Sequence, residues 1–185
     1  MLKKKRESQK VDIGALSREL GSMPQHQVSI SLRNRGLKEI PLGLLVHKDT
    51  LEVLSLSQND APNITNVCDL QKLKRLDISH CGYKTIDSNV FVLRNLQSLD
   101  VSHNECTEIN ILVSNLHFLT ELNYSNNQIT SVTEWINHAV SLEVLNLSNN
   151  KVLPLFILPL YFNCDTITLF LVLYRLSLSL QKCVR

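Results

Sequence analysis

The apolar positions of this chain recur at a fixed interval. From Leu51 it reads LEVLSLSQN, from Leu73 LKRLDISHC, from Leu96 LQSLDVSHN, from Leu119 LTELNYSNN and from Leu142 LEVLNLSNN, with starts spaced by 22, 23, 23 and 23 residues. Each block carries two apolar residues two positions apart, which on an extended segment point to one side while their neighbours point to the other. Each block therefore predicts one short strand with an apolar edge. Leu54 and Leu56, Leu76 and Ile78, Leu99 and Val101, Leu122 and Tyr124, and Leu145 and Leu147 are expected to stack as layers of one elongated core. A single block cannot bury that edge alone, so stability must come from stacked neighbours. A weaker first copy, QVSISLRNRGLKEIP, sets Ile30, Leu32, Leu37 and Ile40 in the same slots, with Arg35 in the slot that otherwise holds asparagine or cysteine.

A second apolar set, Ile64, Ile86, Ile109, Val132 and Leu155, stands five residues past that slot and is expected to line the turn that carries the chain outward. Val67 with Leu70, Val90 with Leu93, Val113 with Leu116, and Ile136 with Val140 are then expected to supply the inward contacts of the outer segments. These segments are short and lack regular caps, so they predict brief helices or turns rather than long helices.

The blocks fit L-x-x-L-x-L-x-x-N/C, and over residues 27–155 the chain resembles the leucine-rich-repeat family, of the intracellular type with 22–23-residue repeats. The resemblance implies an α/β solenoid of about six repeats, with a curved parallel sheet on its concave face and short helices or turns on its convex face. It also implies that Asn59, Cys81, Asn104, Asn127 and Asn150 form a structural ladder satisfying inward-facing backbone groups in the turns. Cys81 is then a buried thiol in a ladder slot, and Cys106 a core thiol. Residues 1–26 form a basic flank and N-terminal cap, in which Val11, Ile13, Leu16 and Leu20 face inward and Gly21 stops a short helix. Residues 156–185 form an apolar tail that loses the period.

In this family the concave sheet usually carries binding, which points to Arg75, Ser98 and Glu121 in one row and Asp77, Asp100, Asn123 and Asn146 in the next. Ser57, Ser79, Ser102, Ser125 and Ser148 make a third row on that face, and His80, His103 and Asn126 lie near its edge. The middle of the face is polar and mildly acidic, which suits a basic or polar segment of a partner protein. His80 and His103, with Asp77 and Asp100 in matching positions, form the one patch where a metal would be sought; the reading adopted is solvent-facing residues and no metal. Asn63, Asn123 and Asn146 open N-x-S/T sequons, taken as coincidental, and Trp135 is expected to fill the core.

Composition adds little. A net charge of +2 over 185 residues gives no ground for nucleic-acid binding, and much of the excess sits in Lys3, Lys4, Lys5, Arg6 and Lys10. No apolar stretch follows that cluster, as a signal peptide would require, and the five cysteines are odd in number and lack CxxC spacing. A cytoplasmic or nuclear, monomeric, non-enzymatic interaction module without a cofactor is the expectation. Two alternatives stay open, a regulatory or targeting subunit of an enzyme such as a phosphatase, and a membrane-tethered receptor-like fragment anchored through residues 152–174. Asn163, Cys164 and Asp165 in mid-segment weigh against the anchor. The tail otherwise reads as a degenerate repeat with Leu176 and Leu178 inward, or as a truncation product.

Overall fold

The computed structural model describes residues 12–152. The chain enters through helix α1, Ile13–Ser22. Asp12 caps it by accepting the Ala15 backbone N–H at 3.0 Å; Gly21 does not stop the helix, which runs on to Ser22 with Met23 as its C-cap. Leu16 and Leu20 are buried, so α1 covers the first repeat with its apolar face. Its fit depends on Gly43: a β-carbon there would lie 1.9 Å from the Ser17 carbonyl oxygen, and the Gly43 N–H donates to Ser17 Oγ at 2.7 Å. His47, fully buried, adds a second tie through Nε2 to the Leu20 carbonyl at 2.9 Å.

Six three-residue strands follow: β1 Ser29–Ser31, β2 Val53–Ser55, β3 Arg75–Asp77, β4 Ser98–Asp100, β5 Glu121–Asn123 and β6 Val144–Asn146. They pair in sequence order and in parallel, with Ile30, Leu54, Leu76, Leu99, Leu122 and Leu145 in register. All six are buried, and the residues on either side of each point to the opposite face. The strands are short because the pattern that specifies them is short: the next apolar residue already belongs to the turn.

Between strands the chain returns through 3-10 helices, Leu42–His47, Thr65–Asp69, Ser88–Val92, Ile111–Asn115 and Glu134–His138. One tight turn suffices to bring an apolar residue inward at a matching position of each repeat, Val67, Val90, Val113 and Ile136, with Phe91 and Trp135 buried beside two of them. Leu70, Leu93 and Leu116 follow at the helix ends and are buried. In the last of these segments the equivalent residue is Ala139, which packs on the core, whereas Val140 is 67% exposed. The expectation for Val140 was one position out, because a valine outranks an alanine in hydrophobicity but the period selects the alanine. Trp135 is 1% exposed and fills the core with Phe91 and Tyr124.

The tail at 156–185, Leu155 and the basic cluster lie outside the described residues, as does the span 152–174 apart from Val152. Among the described residues no helix is long and apolar enough to cross a membrane.

Candidate functional site

The outward residues of β1–β6 make the concave face. One row holds Val53, Arg75, Ser98, Glu121 and Val144, and the next Ser55, Asp77, Asp100, Asn123 and Asn146, each aligned with its neighbours by strand register. Among all six strands only Arg75, Asp77, Asp100 and Glu121 carry charge. The sequence-derived face residues are thus brought together on β3–β6, with His80, His103 and Asn126 in the turns just beyond.

The second row has a structural duty that the sequence reading missed. Asp77, Asp100, Asn123 and Asn146 each accept, through Oδ1, the backbone N–H two residues on: Ser79, Ser102, Ser125 and Ser148, at 2.8–3.1 Å. Each side chain thereby closes the strand end with an Asx turn. The D/N-x-S spacing is the signal that would have found it, and it also accounts for the sequons at Asn123 and Asn146. The serines turn under the sheet: Ser57, Ser79, Ser102 and Ser125 are buried, so that row is not displayed to a partner, contrary to expectation. The second oxygens are engaged as well, Asp77 Oδ2 accepting from the Ser55 hydroxyl at 2.7 Å and Asp100 Oδ2 from Asn123 Nδ2 at 3.1 Å. Burial works against the Asp77 carboxylate, but hydrogen bonds from Ser79, Ser55 and Ser57 together outweigh it and hold the carboxyl below its usual range.

After the serine the chain must reverse, and it does so through a residue in the left-handed region: Asn34, Gln58, His80, His103, Asn126 and Asn149 all have φ between 54° and 60°. Asparagine and histidine tolerate this conformation better than most side chains. Their side chains form an exposed rim. The His80 and His103 rings stack with centroids 4.0 Å apart and planes within 10°, Asn126 Nδ2 lies 3.2 Å from His103 Nε2, and Asn149 Nδ2 donates to Asn126 Oδ1 at 3.0 Å. Lone pairs of stacked imidazoles lie in parallel planes and do not converge on one ion. Among the described residues no group of three or more His, Cys, Asp or Glu is placed to hold a metal.

The next residue inward occupies the ladder. Asn59 Oδ1 accepts the N–H of Arg35 and Leu37, and Nδ2 donates to the carbonyls of Leu32 and Leu56. Asn104 bridges Cys81 and Tyr83 to Ile78 and Val101 in the same way, while Asn127 and Asn150 continue the ladder at Cys106 and Ile129. Cys81 lacks an amide. Its thiol donates to the Leu56 and Ser79 carbonyls, and the Ala61 N–H, which an asparagine would have bound, instead reaches the Cys81 carbonyl at 2.7 Å with Ala61 at φ 41°. Burial pushes the Cys81 thiol up to about 11 and that of Cys106 up to about 12, far from the thiolate that nucleophilic chemistry needs.

Comparison with known proteins agrees with this geometry. A leucine-rich-repeat model matches residues 71–129 and a second one matches residues 141–164. No curated protein matches. Among solved structures, the internalin inlF of Listeria monocytogenes is 29% identical over 66% of this chain and 34% of its own, with a TM-score of 0.56. The BIR2 ectodomain of Arabidopsis thaliana is 26% identical over 66% of both chains, with a TM-score of 0.52. The Listeria internalin inlC2, at 23% identity over 74% of this chain and 66% of its own and a TM-score of 0.57, shares the fold. The chain spans about a third of the length of inlF. Repeats in register, an asparagine ladder, a single parallel sheet and two family matches lead to one conclusion: the chain is a leucine-rich-repeat protein.

Proposed function

We propose that the chain is a non-enzymatic protein-interaction module that holds a polar or basic segment of a partner protein across its concave sheet. The observation that carries this is the concentration of the four strand-borne charges on β3–β5, three of them acidic, on a face otherwise made of serine and asparagine with a valine at each side. Six strands at about 4.8 Å spacing span roughly 24 Å, the footprint of a short peptide stretch. An open sheet without enclosing walls suits a macromolecular ligand better than a small substrate, which needs a concave site that excludes water. We place the module in the cytoplasm or nucleus; the buried thiols of Cys81 and Cys106 suit a reducing setting, and imaging of the tagged chain tests it.

The test is affinity capture with three variants. Ser98→Trp blocks the middle of the face, Ile111→Arg alters the exposed convex side, and Asp77→Asn with Asp100→Asn removes two charges while keeping the Asx turns, since β5 and β6 make the same turn with asparagine. Partners retained by the wild type and by Ile111→Arg, lost with Ser98→Trp and weakened by the double variant, support the concave face. Loss with Ile111→Arg alone would move binding to the convex side and refute it.

A further inference from the structure

The charges on the concave face are not equivalent. Glu52 and Lys74, at its edge, pair with each other at 2.8 Å. Asp77 and Asp100 have both carboxylate oxygens engaged by the sheet itself. Arg75 and Glu121 remain: both are exposed, and neither forms an ion pair among the described residues. They stand in one row, two strand steps apart, with Ser98 directly between them. At about 4.8 Å per step their backbones are roughly 9.6 Å apart. The serine leaves a shallow notch, with a cation on one wall and an anion on the other.

A peptide laid across the strands must place two side chains on the sheet side at that separation. In a β-strand the same side recurs every second residue, at about 6.7 Å and then 13 Å, so neither interval fits. Polyproline II has three residues per turn and rises about 3.1 Å per residue, which returns the same side after roughly 9.3 Å. Its backbone is also free of internal hydrogen bonds, so its carbonyls stay open to donors on the partner.

We infer that the concave face is matched to a partner segment in the polyproline II conformation carrying an acidic and a basic residue three positions apart, the acid on Arg75, the base on Glu121 and the intervening backbone over Ser98. This rests on the concave-face reading and specifies its ligand. Val53 and Val144 at the two sides give the flanking residues an apolar contact.

The experiment is selection of displayed random dodecapeptides on the immobilised chain, with Arg75→Glu, Glu121→Arg and Ser98→Trp in parallel, each verified as folded by circular dichroism. The wild type is expected to enrich opposite charges at a spacing of three by roughly tenfold over spacings of two or four, the scale of one charge-assisted contact. Arg75→Glu should shift the pool to two basic residues three apart, and Glu121→Arg to two acidic ones. A pool lost with Ser98→Trp but showing a spacing of two, four or seven, or no fixed spacing, overturns this inference and leaves the concave face standing. A pool unchanged by Ser98→Trp, or no enrichment on the wild type, overturns both. Concentration-dependent self-association abolished by the same variants would assign the face to a second copy and likewise overturn it.

Discussion

Replacing Asn104 by alanine should destabilise the whole stack. The side chain is 8% exposed and lies between the turns that follow β3 and β4. Its Oδ1 accepts the N–H groups of Cys81 at 3.1 Å and Tyr83 at 3.0 Å, and its Nδ2 donates to the carbonyls of Ile78 at 3.0 Å and Val101 at 2.8 Å. Val101 keeps a second donor, Asn127 Nδ2 at 2.9 Å, so its carbonyl stays satisfied in the variant. The Cys81 and Tyr83 donors and the Ile78 carbonyl are left stranded, at about 1–3 kcal/mol each, or about 3–9 kcal/mol together. Urea unfolding followed by the fluorescence of the single, buried Trp135 reads this directly, with circular dichroism in parallel because repeat stacks can unfold piecewise. Asn126→Gly is the control, since Asn126 sits on the exposed rim at φ 56°, a conformation glycine adopts freely. Cys81→Ala should cost less than Asn104→Ala, because the Ala61 N–H is held by the Cys81 backbone carbonyl and not by its side chain. A change below about 1 kcal/mol for Asn104→Ala would refute the claim that the ladder side chains hold the turns together.

Three further outcomes follow from the same packing. Gly43→Ala drives a methyl group into the Ser17 carbonyl, so α1 must shift; a loss of about 1–3 kcal/mol and faster amide exchange through Ile13–Ser22 are expected, and unchanged exchange would contradict the close fit. Tyr124→Phe removes a fully buried hydroxyl that has no hydrogen-bond partner among the described residues, so the variant should be about 1 kcal/mol more stable, and a loss of similar size would show that the hydroxyl is satisfied. Asp77 has its carboxyl held below 3.8 in the folded chain, so it contributes stability above that value and loses it as pH falls through the folded value. Asp77→Asn keeps the turn but not this charge; the stability gap between wild type and variant should be full at about pH 6 and shrink as pH falls through and below 3.8, whereas a gap independent of pH would refute the assignment.

The register of the sheet was legible because the L-x-L pair recurs without interruption, and a one-residue slip would expose every leucine. Val140 is the more hydrophobic of two neighbours and so draws the expectation, but the period turns Ala139 inward and leaves Val140 exposed. The concave rows were placed from strand alternation alone, but alternation does not reveal what a polar side chain bonds to. Asp77, Asp100, Asn123 and Asn146 looked like free surface, whereas one oxygen of each is committed to its own strand end. The serines looked displayed because alternation was extended past the strand; the chain has begun to turn there, and the left-handed residue that follows completes the reversal. The contrast between Asp77 and Asp100, whose charges are partly internal, and Arg75 and Glu121, whose charges face outward unpaired, arises from hydrogen bonds between repeats, which no single repeat encodes.

Binding through the concave face is tested most directly by site-specific photo-crosslinking in cells. A photoreactive residue at Ser98, in the middle of β4, is compared with one at Ile111, which is 62% exposed on the convex side. Discrete adducts from position 98, absent from position 111 and lost on adding Arg75→Glu with Glu121→Arg, are expected. Adducts from position 111 with none from position 98 would contradict it.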